Sequence, residues 1–159
     1  MVGRIEEARN GYRIASLSAD PNNFLLWSHY ADGHKGVAVE VDIPEDHPAL
    51  CKVTYSPFSS VFTEKLQTKE DMRHLFNGKG DEWEYEREYR IICEQQFFNL
   101  DTPIRRVLVG PMVPEERVAV LRAAIPKHIE LVHMELDRVQ GTLRVIGPNN
   151  TIHATCARA

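Results

Sequence analysis

The sequence predicts an α+β fold: a mixed, largely antiparallel sheet of about six strands with three or four helices. Three observations predict it. Short β-branched runs recur along the chain, bounded by Gly, Pro or Asn-Gly. Helix-start signals such as Asp20-Pro21 and Pro114-Glu115-Glu116 fall between them at irregular intervals. No repeat and no linker of shifted composition divides the 159 residues, so a single domain over 1–159 is expected.

Each element follows from local chemistry. Arg4–Asn10 reads as a short helix closed by Asn10-Gly11, with glycine at the left-handed cap. Arg13–Ser18 reads as a strand. Asp20 is the expected N-cap and Pro21 the first helical residue of a helix to Asp32, stopped by Gly33. At about 100° per residue, Leu26, Tyr30, Trp27, Ala31 and Phe24 form one apolar arc, which places Trp27 in the core. His29 falls on the opposite arc with Ser28, Leu25 and Asp32, exposed or facing a cleft.

Val37–Asp42 is β-branched and reads as a strand. Pro44–Pro48 is a loop, and Cys51–Tyr55 a strand stopped by Ser56-Pro57. Thr68 with Asp71 forms a capping box, so a helix is expected through Phe76, closed by Asn77-Gly78. Lys79-Gly80-Asp81 reads as a polar link into a strand ending near Gln96. Ile104–Val109 is the next strand. A helix from Pro114 to Ala124 carries acids at its positive end. Ile129–Leu136 and Thr142–Ile146 are strands joined at Gln140-Gly141, and Thr151–Thr155 adds a short one.

Composition narrows the function classes. Apolar residues make up 43% and charged residues 26%, the balance of a soluble globular protein. A net charge of −4 and a pI of about 6.0 argue against nucleic-acid binding driven by bulk charge. No apolar run is long enough to span a bilayer, and Met1–Glu7 has no signal-peptide core, so no membrane association is expected. Cys51, Cys93 and Cys156 are odd in number and form no CxxC pair. They read as reduced, buried thiols of a cytoplasmic protein, with neither a disulfide frame nor a zinc site.

The most informative stretch is Trp83-Glu84-Tyr85-Glu86-Arg87-Glu88-Tyr89-Arg90-Ile91-Ile92. On a strand, a spacing of two puts Glu86, Glu88, Arg90 and Ile92 on one face. Carboxylates in such a row can stabilise developing positive charge or accept a proton. The plainer alternative is a solvated edge strand with a Glu88–Arg90 ion pair. Other patterns carry less. His29-x4-His34 crosses a helix end and has no third ligand at a defined spacing, so no metal is expected. Ser28, His29 and Asp32 fan outward from one helix and cannot form a triad. Val109-Gly110-Pro111 has one glycine, and its proline lacks the amide that a phosphate-binding turn would use. Arg105 and Arg106 point to opposite faces.

Two motifs carry a resemblance. They are Leu26-Trp27-Ser28-His29-Tyr30-Ala31-Asp32-Gly33-His34-Lys35-Gly36-Val37 and the strand with Trp83, Tyr85, Glu86, Glu88 and Arg90. With them the chain resembles the prokaryotic proteins grouped as domain of unknown function 2971. Members usually carry an N-terminal portion with a Lys-Tyr-Arg-like strand and an Asn-Asp-Pro turn. The resemblance therefore implies a shortened member, with an uncovered sheet edge open to homo-oligomerisation.

The layout is also similar to that of ADP-ribosyltransferases: a strand ending in Ser, a helix bearing Tyr and a late Glu-x-Glu strand. That similarity implies an NAD pocket, with Glu88 as the catalytic glutamate and Glu86 as its substrate-side partner. Ser18 and Tyr30 would line the nicotinamide pocket, with His29 and Arg90 as further cofactor-binding candidates. The target, macromolecule or small molecule, is left open. Two alternatives stand beside it: a non-catalytic interaction module anchored by Trp83 and Tyr85, and a remnant that folds without activity.

Overall fold

The computed structural model describes residues 11–57, 75–102, 104–137, 139–145 and 154–158. The expected helix Arg4–Asn10 and most of the one expected from Thr68 lie outside them. Helices and strands combine in mixed, largely antiparallel sheets, an α+β fold. Among the described residues no helix is long and apolar enough to cross a membrane. The chain divides into two compact units, each built from two stretches of sequence.

The first unit spans residues 1–17 and 44–99. Its strands are β1 (Arg13–Ser18, less its last residue), β3 (Leu50–Lys52), β4 (Thr54–Ser56), β5 (Gly78–Gly80) and β6 (Glu88–Cys93). Strand order is β3-β6-β1, and β4 and β5 form a separate parallel ribbon. β3 runs antiparallel to β6, with Leu50 opposite Ile91 and Lys52 opposite Tyr89. The strand expected over Cys51–Tyr55 is split at Val53, which is buried and donates its N–H to the Glu88 carbonyl at 3.0 Å.

The strand expected from Trp83 starts only at Glu88. Asp81–Glu86 instead winds into a 3-10 helix. Asp81, Glu82 and Glu84 in its first turn suit the positive end of a helix. Arg87 then turns left-handed, with φ 47°, and its N–H closes on the Glu84 carbonyl at 3.1 Å. Glu86 is therefore not in a strand row with Glu88.

The second unit spans residues 18–43 and 100–159. It holds α1 (Phe24–Tyr30), β2 (Val37–Val41), β7 (Arg106–Val109), α2 (Glu115–Ala124), β8 (Glu130–Asp137), β9 (Thr142–Val145) and β10 (Ala154–Arg158). Strand order is β10-β2-β7-β8-β9, antiparallel except for the β7–β8 pair that α2 connects. The apolar core lies here: Trp27, Ala31, Ala38, Leu108, Val132, Met134 and Leu143. Trp27 is 4% exposed, and its indole N–H donates to the Pro21 carbonyl at 2.7 Å.

Helix α1 is shorter than its sequence signals predict. Asp20 caps a turn instead, accepting from the Asn22 N–H at 3.0 Å. Asn23 is the helix cap and accepts from the N–H groups of Leu25 and Leu26. The helix stops at Tyr30, and Asp32, Gly33 and His34 are all left-handed, with φ of 46°, 59° and 69°. So short a helix buries only the Trp27–Ala31 stripe, one turn apart. Phe24 and Tyr30, expected in the apolar arc, are 37% and 42% exposed.

Candidate functional site

In the first unit Lys79 and Arg90 gather around the buried carboxylate of Glu88. Glu88 opens β6, and Glu86 ends the 3-10 helix; each residue is 4% exposed. The solvated edge-strand alternative is therefore ruled out for both. The left-handed Arg87 between them turns the chain, so two glutamates from different elements meet one lysine. Lys79, the middle residue of β5, donates to Glu86 Oε2 at 2.5 Å and to Glu88 Oε2 at 2.9 Å. Its ammonium also lies 5.1 Å from the centroid of the Trp83 ring.

Arg90 closes the cluster from the strand side. Its guanidinium grips Glu88 with both prongs, Nε to Oε1 at 2.8 Å and Nη2 to Oε2 at 3.0 Å. Its Nη1 donates to the Phe76 carbonyl. A spacing of two along β6 puts both side chains on one face, so this pair follows from sequence periodicity. Ser16 on β1 adds a hydrogen bond to the same carboxylate. The Tyr55 hydroxyl accepts the Glu88 N–H at 2.8 Å.

Two opposing effects set the charge state. Burial pushes the Glu88 carboxyl up, but hydrogen bonds from Arg90, Ser16 and Lys79 outweigh it and hold it at about 2. Burial likewise works against the Lys79 ammonium, and the bonds to Glu86 and Glu88 prevail, so its pKa lies above the ordinary lysine value. The arrangement is thus a fixed, ionised carboxylate. A carboxyl held so low is a poor general base and a good electrostatic stabiliser.

The cluster unites three of the residues singled out from sequence: Glu86, Glu88 and Arg90. The other candidates belong to the second unit. Ser18 is buried, and its hydroxyl accepts the Asp20 N–H at 3.1 Å. His29 and Tyr30 are exposed neighbours on α1, with ring centroids 6.3 Å apart. The Gly110 amide is spent on the Gly36 carbonyl at 3.0 Å, so the turn after β7 is an ordinary strand-to-helix connection. Arg106 pairs across strands with Glu40, 2.5 Å between Nη2 and Oε2.

Sequence reasoning missed Lys79, Ser16 and Tyr55. Lys79-Gly80-Asp81 reads as a polar link because nothing local says that Gly78–Gly80 pairs with β4. One signal was available: two acids beside an apolar strand, if buried, require cations, and Lys79 is a nearby one. No family model, curated protein or solved structure matches this chain.

Proposed function

We propose that the chain is a domain of the prokaryotic family it resembles, with an ADP-ribosyltransferase-like NAD pocket at Glu86 and Glu88. The observation that carries this reading is the buried carboxylate of Glu88, gripped by Arg90 and Lys79. Breaking the nicotinamide–ribose bond passes through an oxocarbenium-like state. A carboxylate that stabilises it must be charged and fixed before the reaction. Arg90 and Ser16 supply that fixing for Glu88. Glu86 is its partner on the substrate side. The scattered cysteines support a cytoplasmic setting.

A second reading, a non-catalytic interaction module, is favoured by a different observation. Glu86 and Glu88 are matched in charge by Lys79 and Arg90. In that reading the cluster only holds the 3-10 helix, and Trp83, 36% exposed beside Tyr85, anchors a partner.

Calorimetric titration of NAD separates the two. The enzyme reading expects binding, and expects Glu88→Gln to keep the fold while NAD cleavage falls about a hundredfold or more. No binding of NAD at millimolar concentration overturns it in favour of the interaction module.

A further inference from the structure

We propose that His34 is a protonation switch: its neutral imidazole holds the corner between α1 and β2 closed, and its protonation opens that corner. His34 is 9% exposed, and among the described residues its Nδ1 is buried with no hydrogen-bond partner. Its ring lies against that of Phe24, with centroids 4.4 Å apart and planes tilted by 45°.

The backbone of the same residue ties three segments together. Its N–H donates to the Trp27 carbonyl of α1 at 3.0 Å. Its carbonyl accepts the Met112 N–H, from the loop between β7 and α2, at 3.1 Å. Two residues on, the Gly36 carbonyl accepts the Gly110 N–H at 3.0 Å, and β2 begins at Val37. The ring and both bonds share one left-handed residue, with φ 69°. A ring that leaves its site therefore pulls on both bonds.

A neutral imidazole fills such a site at modest cost. An imidazolium carries a proton on each nitrogen, and the one on Nδ1 would have no acceptor. The Phe24 face attracts an imidazolium, but by less than an unpartnered buried charge costs. Of the segments that touch His34, α1 carries His29, the corner itself carries Asp32 and Lys35, and the loop from Gly110 to Val113 has no ionisable side chain. None of these sets the shift: among the described residues burial alone lowers the His34 pKa from 6.5. A histidine lowered in the folded state leaves stability intact above 6.5 and costs stability as pH falls through the lowered value. Acid therefore opens the corner.

Amide hydrogen exchange between about pH 7.5 and about pH 5.5 tests this. After correction for intrinsic exchange rates, the Met112 amide should lose up to about tenfold in protection per pH unit below 6.5. The amide of fully buried Leu108 should keep its protection. The Met112 loss should vanish in His34→Asn, because asparagine accepts a left-handed backbone and does not titrate. In the wild type, the His34 ring resonances followed by NMR should titrate below 6.5. A Met112 loss that persists in His34→Asn, an equal loss at Leu108, or no loss at either overturns the switch. So does a His34 ring that titrates at or above 6.5, and that measurement decides the matter if His34→Asn does not fold.

Discussion

The two units are stabilised at their centres by opposite means. The second is organised around an indole packed among aliphatic side chains from β2, β7, β8 and β9. The first has buried apolar residues too, Leu17, Val53, Ile91 and Ile92, but it also holds Glu86 and Glu88 at 4% exposure. An apolar centre gains from every methylene and has no dependence on pH. A charged one must match each anion to a cation, and gains little over an apolar replacement of the same shape. The second unit also buries an ion pair, but Glu40 and Arg106 sit opposite each other in a regular ladder and close on themselves. The first unit's cluster draws its members from a strand, a ribbon and a 3-10 turn. Stability alone does not require such a construction.

The sharpest break in this contrast is a matched pair of truncations. Trp27→Ala should cost about 3–5 kcal/mol of unfolding free energy, measured by denaturant titration. Glu88→Ala should cost a similar amount, about 3–5 kcal/mol, because it strands Arg90 without its counter-charge and leaves Lys79 with Glu86 alone. The two should part in their pH dependence. The Trp27→Ala loss should be flat across pH, whereas the Glu88→Ala loss should shrink in acid.

The sign of that dependence follows from the direction of each shift. The Glu88 carboxyl is held at about 2, below the ordinary 4.5. Its stabilisation is therefore fully present above 4.5 and lost as pH falls through about 2, amounting to about 3 kcal/mol. Lys79 is shifted upward. Its contribution is present below the ordinary lysine value and lost as pH rises through the raised one. Acid and alkaline unfolding curves of the wild type and Glu88→Gln test both limbs, with the acid limb flattening in the variant. The smallest effect belongs to the exposed pair Arg122–Glu115 on α2, 3.9 Å apart. Arg122→Ala should change stability by less than about 0.5 kcal/mol and marks the noise level for the others.

Much of the second unit was legible in the sequence. Val37–Val41 and Arg106–Val109 are strands for the reason their β-branched runs suggest, and Pro114 with Glu115 and Glu116 opens α2. Gln140-Gly141 marks the β8–β9 turn, with Gly141 at φ 65°. Helical phase alone located Trp27 in the core. Tyr30 misled because the phase assumed a longer helix than Asn23 and the left-handed run from Asp32 allow.

The first unit was less legible. A period of two pairs Glu88 with Arg90 correctly, but it cannot see that Arg87 turns left-handed and takes Glu86 off the strand. Ser16 and Tyr55 reach Glu88 from segments remote in sequence, and Lys79 is brought to it by the pairing of β5 with β4. Pairings of that kind are decided by tertiary packing, which leaves no local trace.

The corner of the second unit between α1 and β2 has a consequence for how the sequence can drift. Three successive residues with positive φ bring the His34 carbonyl over the next loop, where it accepts the Met112 N–H at 3.1 Å. A Cβ on Gly110 would collide with that carbonyl, and one on Gly36 would press on Ala31 at 3.0 Å. Positions 31, 34, 36 and 110 are thus interlocked through space although they span two distant segments. A side chain gained at 110 becomes tolerable only after the backbone at 34 has moved. Among relatives, these positions should be found to change together or not at all.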